Sequence, residues 1–396
     1  LSSSSYQALY INDQLQTSGS PATIVMPDFS TTVRVRVEPY FLPAKTYTID
    51  VWRDSTLPSI QFSANGSDEP SRTIGVNSVT VSDTGSGLDT ASLQYAWSQS
   101  TSAPATASEW TDFSLLPAQD MSAPIVKSDG DGYWYLHVRA KDLAGNSRTV
   151  TSNSFLLDNT PPAIDITMKK ADDTPYSENN WTNQDVIVSA AVTDATSVTS
   201  VTYSTNGGTA WYPYTVPFHL QEDGVYNVKI KALDAVGNEN TVSRTAQISK
   251  SGLELTPTMK KAADDSDYTS GEWTNSDVHV SAKAEWGVSG LLALTYALDG
   301  AAEQNYSNES LIPFAASGMH TIAFKLTDHA GNSLSAPLAV NIDKTAPTAD
   351  WSENGREAWA QIARTVVTIN DTGGSDIVDA ALKYAWTTEA TAPTAG

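Results

Sequence analysis

Three aspartates recur in one setting. "KDLAGNS" (Lys141–Ser147), "LDAVGNE" (Leu233–Glu239) and "TDHAGNS" (Thr327–Ser333) share Asp-x-x-Gly-Asn and place Asp142, Asp234 and Asp328 at steps of 92 and 94 residues. A carboxylate beside an amide is a source of oxygen ligands for a hard cation, and Ca²⁺ takes six to eight such oxygens. The same residue types also build a hairpin turn. Asp accepts from backbone N–H groups two residues on, and Gly supplies the positive φ that such turns need. Both readings account for the motif. Neither the twelve-residue EF-hand spacing nor a calcium-binding nonapeptide repeat occurs, so a cation would have to draw further oxygens from the facing loops of the next domain.

Aromatic residues offer a second kind of chemistry. The chain has 11 Trp and 16 Tyr, and Trp110 and the run "AWYPY", with Trp211, Tyr212 and Tyr214, are the hardest to bury together. An open Trp or Tyr face can stack on a sugar ring, with its polar edge left for hydrogen bonds. Packing between strands is the competing explanation. The residue pattern of catalysis is missing. His137, His219, His279, His320 and His329 fall singly, without His-Glu-x-x-His spacing, and there is no Gly-x-Ser-x-Gly elbow or phosphate-cradling glycine loop. We therefore expect no catalytic residues and no cofactor other than Ca²⁺.

The elements that carry these residues are bounded by composition. The chain has 396 residues, 23 basic against 45 acidic, for a net charge of −22. Such a surface repels nucleic-acid phosphates and anionic lipid. With 40% hydrophobic residues each domain can bury a core, and no apolar run reaches the ~18–20 residues of a membrane span. Without cysteine there are no disulfides and no thiolate metal sites.

Internal repeats set the organisation. A glycine stands ten residues before each motif Asp, at Gly132, Gly224 and Gly318. "WTNQDVIVSA" (Trp181–Ala190) returns as "WTNSDVHVSA" (Trp273–Ala282), and "VTVSDTGSG" at Val79 returns as "VTINDTGGS" at Val367. Asp-x-Thr-x-Pro occurs at Asp54–Pro58, Asp158–Pro162 and Asp343–Pro347, whereas the remaining junction reads "SKSGLELTP". Proline fixes φ and extends the residue before it, so these junctions are short and stiff. The expected division is the tail of one domain (1–56), three complete domains (57–161, 162–252, 253–347) and the start of a fifth (348–396), a window on a longer protein.

After each of the three glycines, every second residue is apolar: Leu136/Val228/Ile322, Val138/Ile230/Phe324 and Ala140/Ala232/Leu326 follow Trp134/Tyr226/His320. His137/Lys229/Ala323 and Arg139/Lys231/Lys325 stand between them. This is the alternation of an antiparallel strand with one buried and one wet face, and about seven strands in each repeat is the count of an immunoglobulin-like sandwich. "EDGVYNVKIKALDAVGN" (Glu222–Asn238) resembles the sixth strand and following turn of bacterial immunoglobulin-like domains, and its Asp-Gly-x-Tyr226 resembles a tyrosine corner. "FLPAKTYTIDVWR" (Phe41–Arg53) resembles the closing strand of a cadherin-like β-sandwich. The resemblance implies an all-β chain of tandem immunoglobulin-like antiparallel sandwiches in an elongated string. It also implies a non-catalytic stalk of a large bacterial cell-surface or secreted protein, presenting a distal adhesive or catalytic module. The expected partners are neighbouring domains of the same chain. A carbohydrate-binding accessory region of a secreted polysaccharide-degrading enzyme, touching cell-wall or environmental polysaccharide, is the alternative.

Overall fold

The computed structural model describes residues 8–17, 20–27, 29–115, 124–352, 364–378 and 381–387. Among them the only helical element is a 3-10 turn at Ala107–Glu109, and the rest of the regular structure is β. No helix is long and apolar enough to cross a membrane.

The chain forms two compact units. The first comprises Leu1–Ile164 together with Val192–Val201 and Lys231–Asn240; the second comprises Asp165–Ala191, Thr202–Ile230 and Thr241–Gly396. The first unit opens with an antiparallel sheet ordered Gln14–Leu15, Ala8–Ile11, Phe29–Glu38, Lys45–Arg53. Its larger sheet runs Thr111–Asp112, Leu88–Ser98, Gly132–Asp142, Phe155–Leu157, Ser67–Ser71, with Ser147–Thr151 also on the glycine-led strand. Two small sheets, Ser59–Phe62 with Val79–Ser82 and Ile74–Val76 with Ile125–Lys127, bring in the residues of the opposite layer. Val76, Val79, Val81, Leu93, Leu136 and Val138 form the shared core.

In the second unit, residues 253–347 make a three-stranded sheet ordered Glu254–Lys261, Val278–Glu285, Ile312–Phe314. A five-stranded sheet is ordered Trp273–Thr274, Ser333–Ile342, Gly318–Asp328, Leu291–Leu298, Gln304–Asn305. Val278, Val280, Ile322, Phe324, Val340 and Ile342 fill the space between their layers. Residues 162–252 repeat the same three-plus-five order. In both repeats a two-residue strand pairs in parallel with the closing strand, Thr182 opposite Ile248 and Thr274 opposite Ile342. Phe155–Leu157 and Ser67–Ser71 are likewise parallel.

The glycine-led strands carry the predicted inward set: all nine of the apolar residues named for them are at most 1% exposed. The leading glycines hold φ of +88°, +150° and +135°, a region L side chains rarely adopt. The wet face departs from expectation at one point. His137 is fully buried, with side chains of the two neighbouring strands, Ser147–Thr151 and Leu88–Ser98, bonded to both ring nitrogens. Thr151 Oγ1 lies 2.9 Å from Nδ1 and Ser98 Oγ 2.9 Å from Nε2. Burial holds its pKa below the ordinary imidazole value.

The corner position is used in three different ways. Tyr226 donates its hydroxyl to Glu222 O at 2.9 Å, the tyrosine-corner bond. His320 reaches the corresponding carbonyl, Ala316 O, with Nε2 at 3.2 Å, so an imidazole performs the same back-link. Trp134 instead receives the Lys127 ammonium over its ring at 4.0 Å, and its buried indole N–H makes no hydrogen bond among the described residues.

Candidate metal centres

The Asp-x-x-Gly-Asn turn closes in the same way three times. The Asn backbone N–H donates to Asp Oδ1 at 2.8 Å in each copy, from Asn146 to Asp142, Asn238 to Asp234 and Asn332 to Asp328. The Asn side-chain amide donates to the other carboxylate oxygen at 2.6, 2.6 and 2.8 Å. Gly145, Gly237 and Gly331 hold φ of +94°, +86° and +90°, which a turn this tight requires. All three carboxylates are at most 2% exposed.

The same Asn amide makes one more bond, to a backbone carbonyl at the end of the preceding repeat: Asp54 O at 3.0 Å, Asp158 O at 3.3 Å and Ser249 O at 2.8 Å. Two of these three acceptors belong to the Asp of an Asp-x-Thr-x-Pro junction. The junction is thereby drawn against the turn, and its carboxylate with it. Asp54, Asp83 and Asp142 each place one oxygen within 4.8 Å of the others, and Asp158, Asp194 and Asp234 do the same. The junction Asp therefore meets the loops of the repeat it leads into, and the companions of Asp142 and Asp234 come from their own repeat and the preceding junction, not from the facing loops of the next domain.

Sequence reasoning missed Asp83 and Asp194, which stand in the loops Asp83–Gly87 and Asp194–Thr196. The signal available was the recurrence of Asp83 as Asp371 in the "VTVSDTG" and "VTINDTG" pair. Asp328 has no such company among the described residues. The position of Asp158 is taken by Ser249 in its repeat, and Trp286 lies in the loop where Asp194 would be. Ser249 Oγ and Ser289 Oγ are buried there without hydrogen bonds among the described residues.

The electrostatics of the first cluster fit an added cation. The Ser86 backbone N–H, foremost, and that of Thr56 pull the Asp54 carboxyl down to about 2, with Ser86 N 2.6 Å from Oδ2 and Thr56 N 2.9 Å from Oδ1. Asp83 Oδ2 accepts from Gly85 N at 2.9 Å and Gly87 N at 3.0 Å. Its Oδ1 is buried without a hydrogen-bond partner among the described residues, an acceptor left unsatisfied. The approach also needs glycine: a Cβ on Gly85 would lie 2.3 Å from Asp54 Oδ2. In the second cluster Thr196 Oγ1 donates to both Asp158 Oδ2, at 2.5 Å, and Asp194 Oδ1, at 2.8 Å. Hard carboxylate oxygens are the donor set Ca²⁺ prefers.

The aromatic candidates separate. Trp110 is 8% exposed, its indole N–H donates to Pro104 O at 3.1 Å, and the Arg139 guanidinium covers its ring at 4.2 Å. Tyr214 accepts from Ala190 N at 2.8 Å through its hydroxyl and packs edge-on to Phe218. Tyr306 does the same for Ala282 one repeat later, so this is a building feature of the sandwich. Tyr212 is 51% exposed beside Tyr203, and Trp211 is half-buried over Gly208.

A search of curated proteins returns no match. Among solved structures, the tetra-tandem repeat from the extending region of a large adhesion protein is similar at 15% identity, over 80% of this chain and 82% of that one, with a TM-score of 0.29. A region of a 1.5-MDa bacterial ice-binding adhesin is similar at 15% identity, over 73% and 99%, with a TM-score of 0.28. Fibronectin(III)-like modules of Clostridium thermocellum CbhA are similar at 20% identity, over 46% and 93%, with a TM-score of 0.23. Within the chain, residues 49–159 match the model of a family described as bacterial Ig-like domain.

Proposed function

We propose that the chain is a non-catalytic stalk: tandem immunoglobulin-like sandwiches, divided as 57–161, 162–252 and 253–347, in a bacterial cell-surface or secreted protein. One observation carries this reading. The most regularly repeated polar residues are spent on tying each repeat to the peptide that leads into it, through Asn146, Asn238 and Asn332. A repeated binding site would direct them to solvent. In this reading the neighbouring domains are the principal partners, and the work of the segment is to hold a distal module away from its anchor. Small-angle X-ray scattering of the chain tests it: an extended particle is expected, and a pair-distance distribution of a compact globule overturns it.

The two aspartate triads favour Ca²⁺ as the cation that fixes the first two junctions. Asp142 and Asp234 would be ligands, and Asp328 would remain a turn residue. The carbohydrate-binding alternative keeps Tyr212, the most exposed of its four aromatic candidates, with Trp211 beside it in the chain. Affinity electrophoresis on cell-wall and plant polysaccharides separates the two. The stalk reading expects no retardation, and retardation abolished by Trp211→Ala would establish the alternative.

A further inference from the structure

The second Asp-x-x-Gly-Asn turn holds a guest that belongs to another repeat. Arg72 Nε donates to Asn238 Oδ1 at 2.7 Å, and Arg72 Nη2 donates to Gly237 O at 2.8 Å. More than 160 residues separate the partners, yet all lie in the first compact unit. The acceptors are oriented by their own chemistry. Asn238 must turn its NH₂ toward the Asp234 carboxylate, which can only accept, and this leaves Oδ1 facing outward. Gly237, at φ +86°, presents its carbonyl beside it. Two oxygens side by side match the planar fork of a guanidinium and not the point charge of an ammonium. Arg72 is delivered to them by its backbone: Ser71 O accepts from Asp158 N at 3.0 Å, which fixes the end of its strand next to the junction residue.

We propose that Arg72 is a clasp holding the 234–238 turn against the end of the 57–161 sandwich, and that the Gly237–Asn238 pair is a built guanidinium seat. The proposal needs no cation. It also explains why this junction differs from the next. Thr182 pairs with the closing strand Glu239–Ile248 as Ser71 does with Phe155–Leu157, so Arg72 corresponds to Asn183. Asn183 is exposed and too short to reach a turn as Arg72 does, although Gly331 and Asn332 repeat the seat's residues one repeat on.

The chain's lack of cysteine allows a direct test. Thr90→Cys and Ala235→Cys, both at exposed positions of the first unit, carry spin labels for pulsed dipolar distance measurement on the full chain. The expected result is a narrow distribution that loses its narrow component in Arg72→Ala and in Arg72→Lys, with circular dichroism unchanged. Lysine keeps charge and reach, so its failure would isolate the two-pronged geometry. A distribution of the same width in both variants overturns the proposal, as does full retention by Arg72→Lys. If Arg72→Ala loses β signal by circular dichroism, the lysine variant alone decides.

Discussion

Asn238 answers to four groups with one residue. Its backbone N–H and its NH₂ hold the two oxygens of Asp234, the NH₂ also reaches Asp158 O, and Oδ1 receives Arg72. At 5% exposure it has no water to substitute. Removing a partner from a buried acceptor costs about 1–3 kcal/mol, more when that acceptor is charged. Asn238→Ala is expected to lower stability by at least that amount in urea unfolding, and Asn332→Ala, which lacks the Arg72 contact, by less. The Asp–Gly–Asn spacing was legible in the sequence because every bond inside the turn spans four residues or fewer. The Asn bond to the leading-in carbonyl spans 80 to 92 residues, and nothing in local spacing reports a contact of that kind. For the same reason the turn motif singled out Asp142 and Asp234, whereas Asp83 showed only as a recurrence at Asp371 and Asp194 carried no such mark.

At the scale of the strand, alternation located the buried face correctly in all three copies, because a period of two follows from the pleat itself. It misplaced His137, since the pleat says which residues share a face and not how the side chains of neighbouring strands, here Thr151 and Ser98, engage one of them. The misplaced residue has a measurable consequence. A folded pKa below the unfolded value of 6.5 means that the unfolded chain binds the extra proton in the window between the two. Stability is then unaffected above pH 6.5, falls as pH drops from 6.5 toward the folded pKa, and levels off below it. The melting temperature of the wild-type chain should decline between pH 7 and pH 5 more steeply than that of His137→Gln, which can keep a hydrogen bond but cannot titrate there. Parallel slopes would remove His137 as the cause. The corner position teaches a related lesson: Tyr226 and His320 differ in ring and in donor atom, yet both deliver a hydrogen bond four residues back. Geometry selects the residue there, so identity alone was a poor guide to the bond.

At the scale of the whole molecule, the repeats are alike in topology and unlike in what holds their ends. Asp54 and Asp158 head carboxylate triads, and Ser249 heads none. A ligand that binds only the folded chain stabilises it by about 2.7 kcal/mol at a hundredfold excess over Kd, and ~1 kcal/mol moves the melting point of a domain this size by about 4–8 °C. Excess Ca²⁺ is therefore expected to raise the melting temperature relative to EDTA. Asp83→Asn and Asp194→Asn together should abolish most of the rise, and Asp328→Asn should leave it in place. Coincident melting curves in Ca²⁺ and EDTA would eliminate the cation while leaving the sandwiches and the Arg72 clasp as they are. The fold class was readable from repeat length and strand pattern. Which junctions carry a triad depended on single substitutions, Ser249 and Trp286, whose meaning emerged once their positions in space were known.

The parallel pairing of an early short strand with the closing strand, Thr182 with Ile248 and Thr274 with Ile342, has a mechanical consequence. Tension on the two ends of such a repeat slides these strands past each other along their length. Their hydrogen bonds share the load and must rupture together, whereas a hairpin pulled at its open end parts one bond at a time. A hydrophobic core resists solvent and heat; this small parallel contact is placed to resist being pulled.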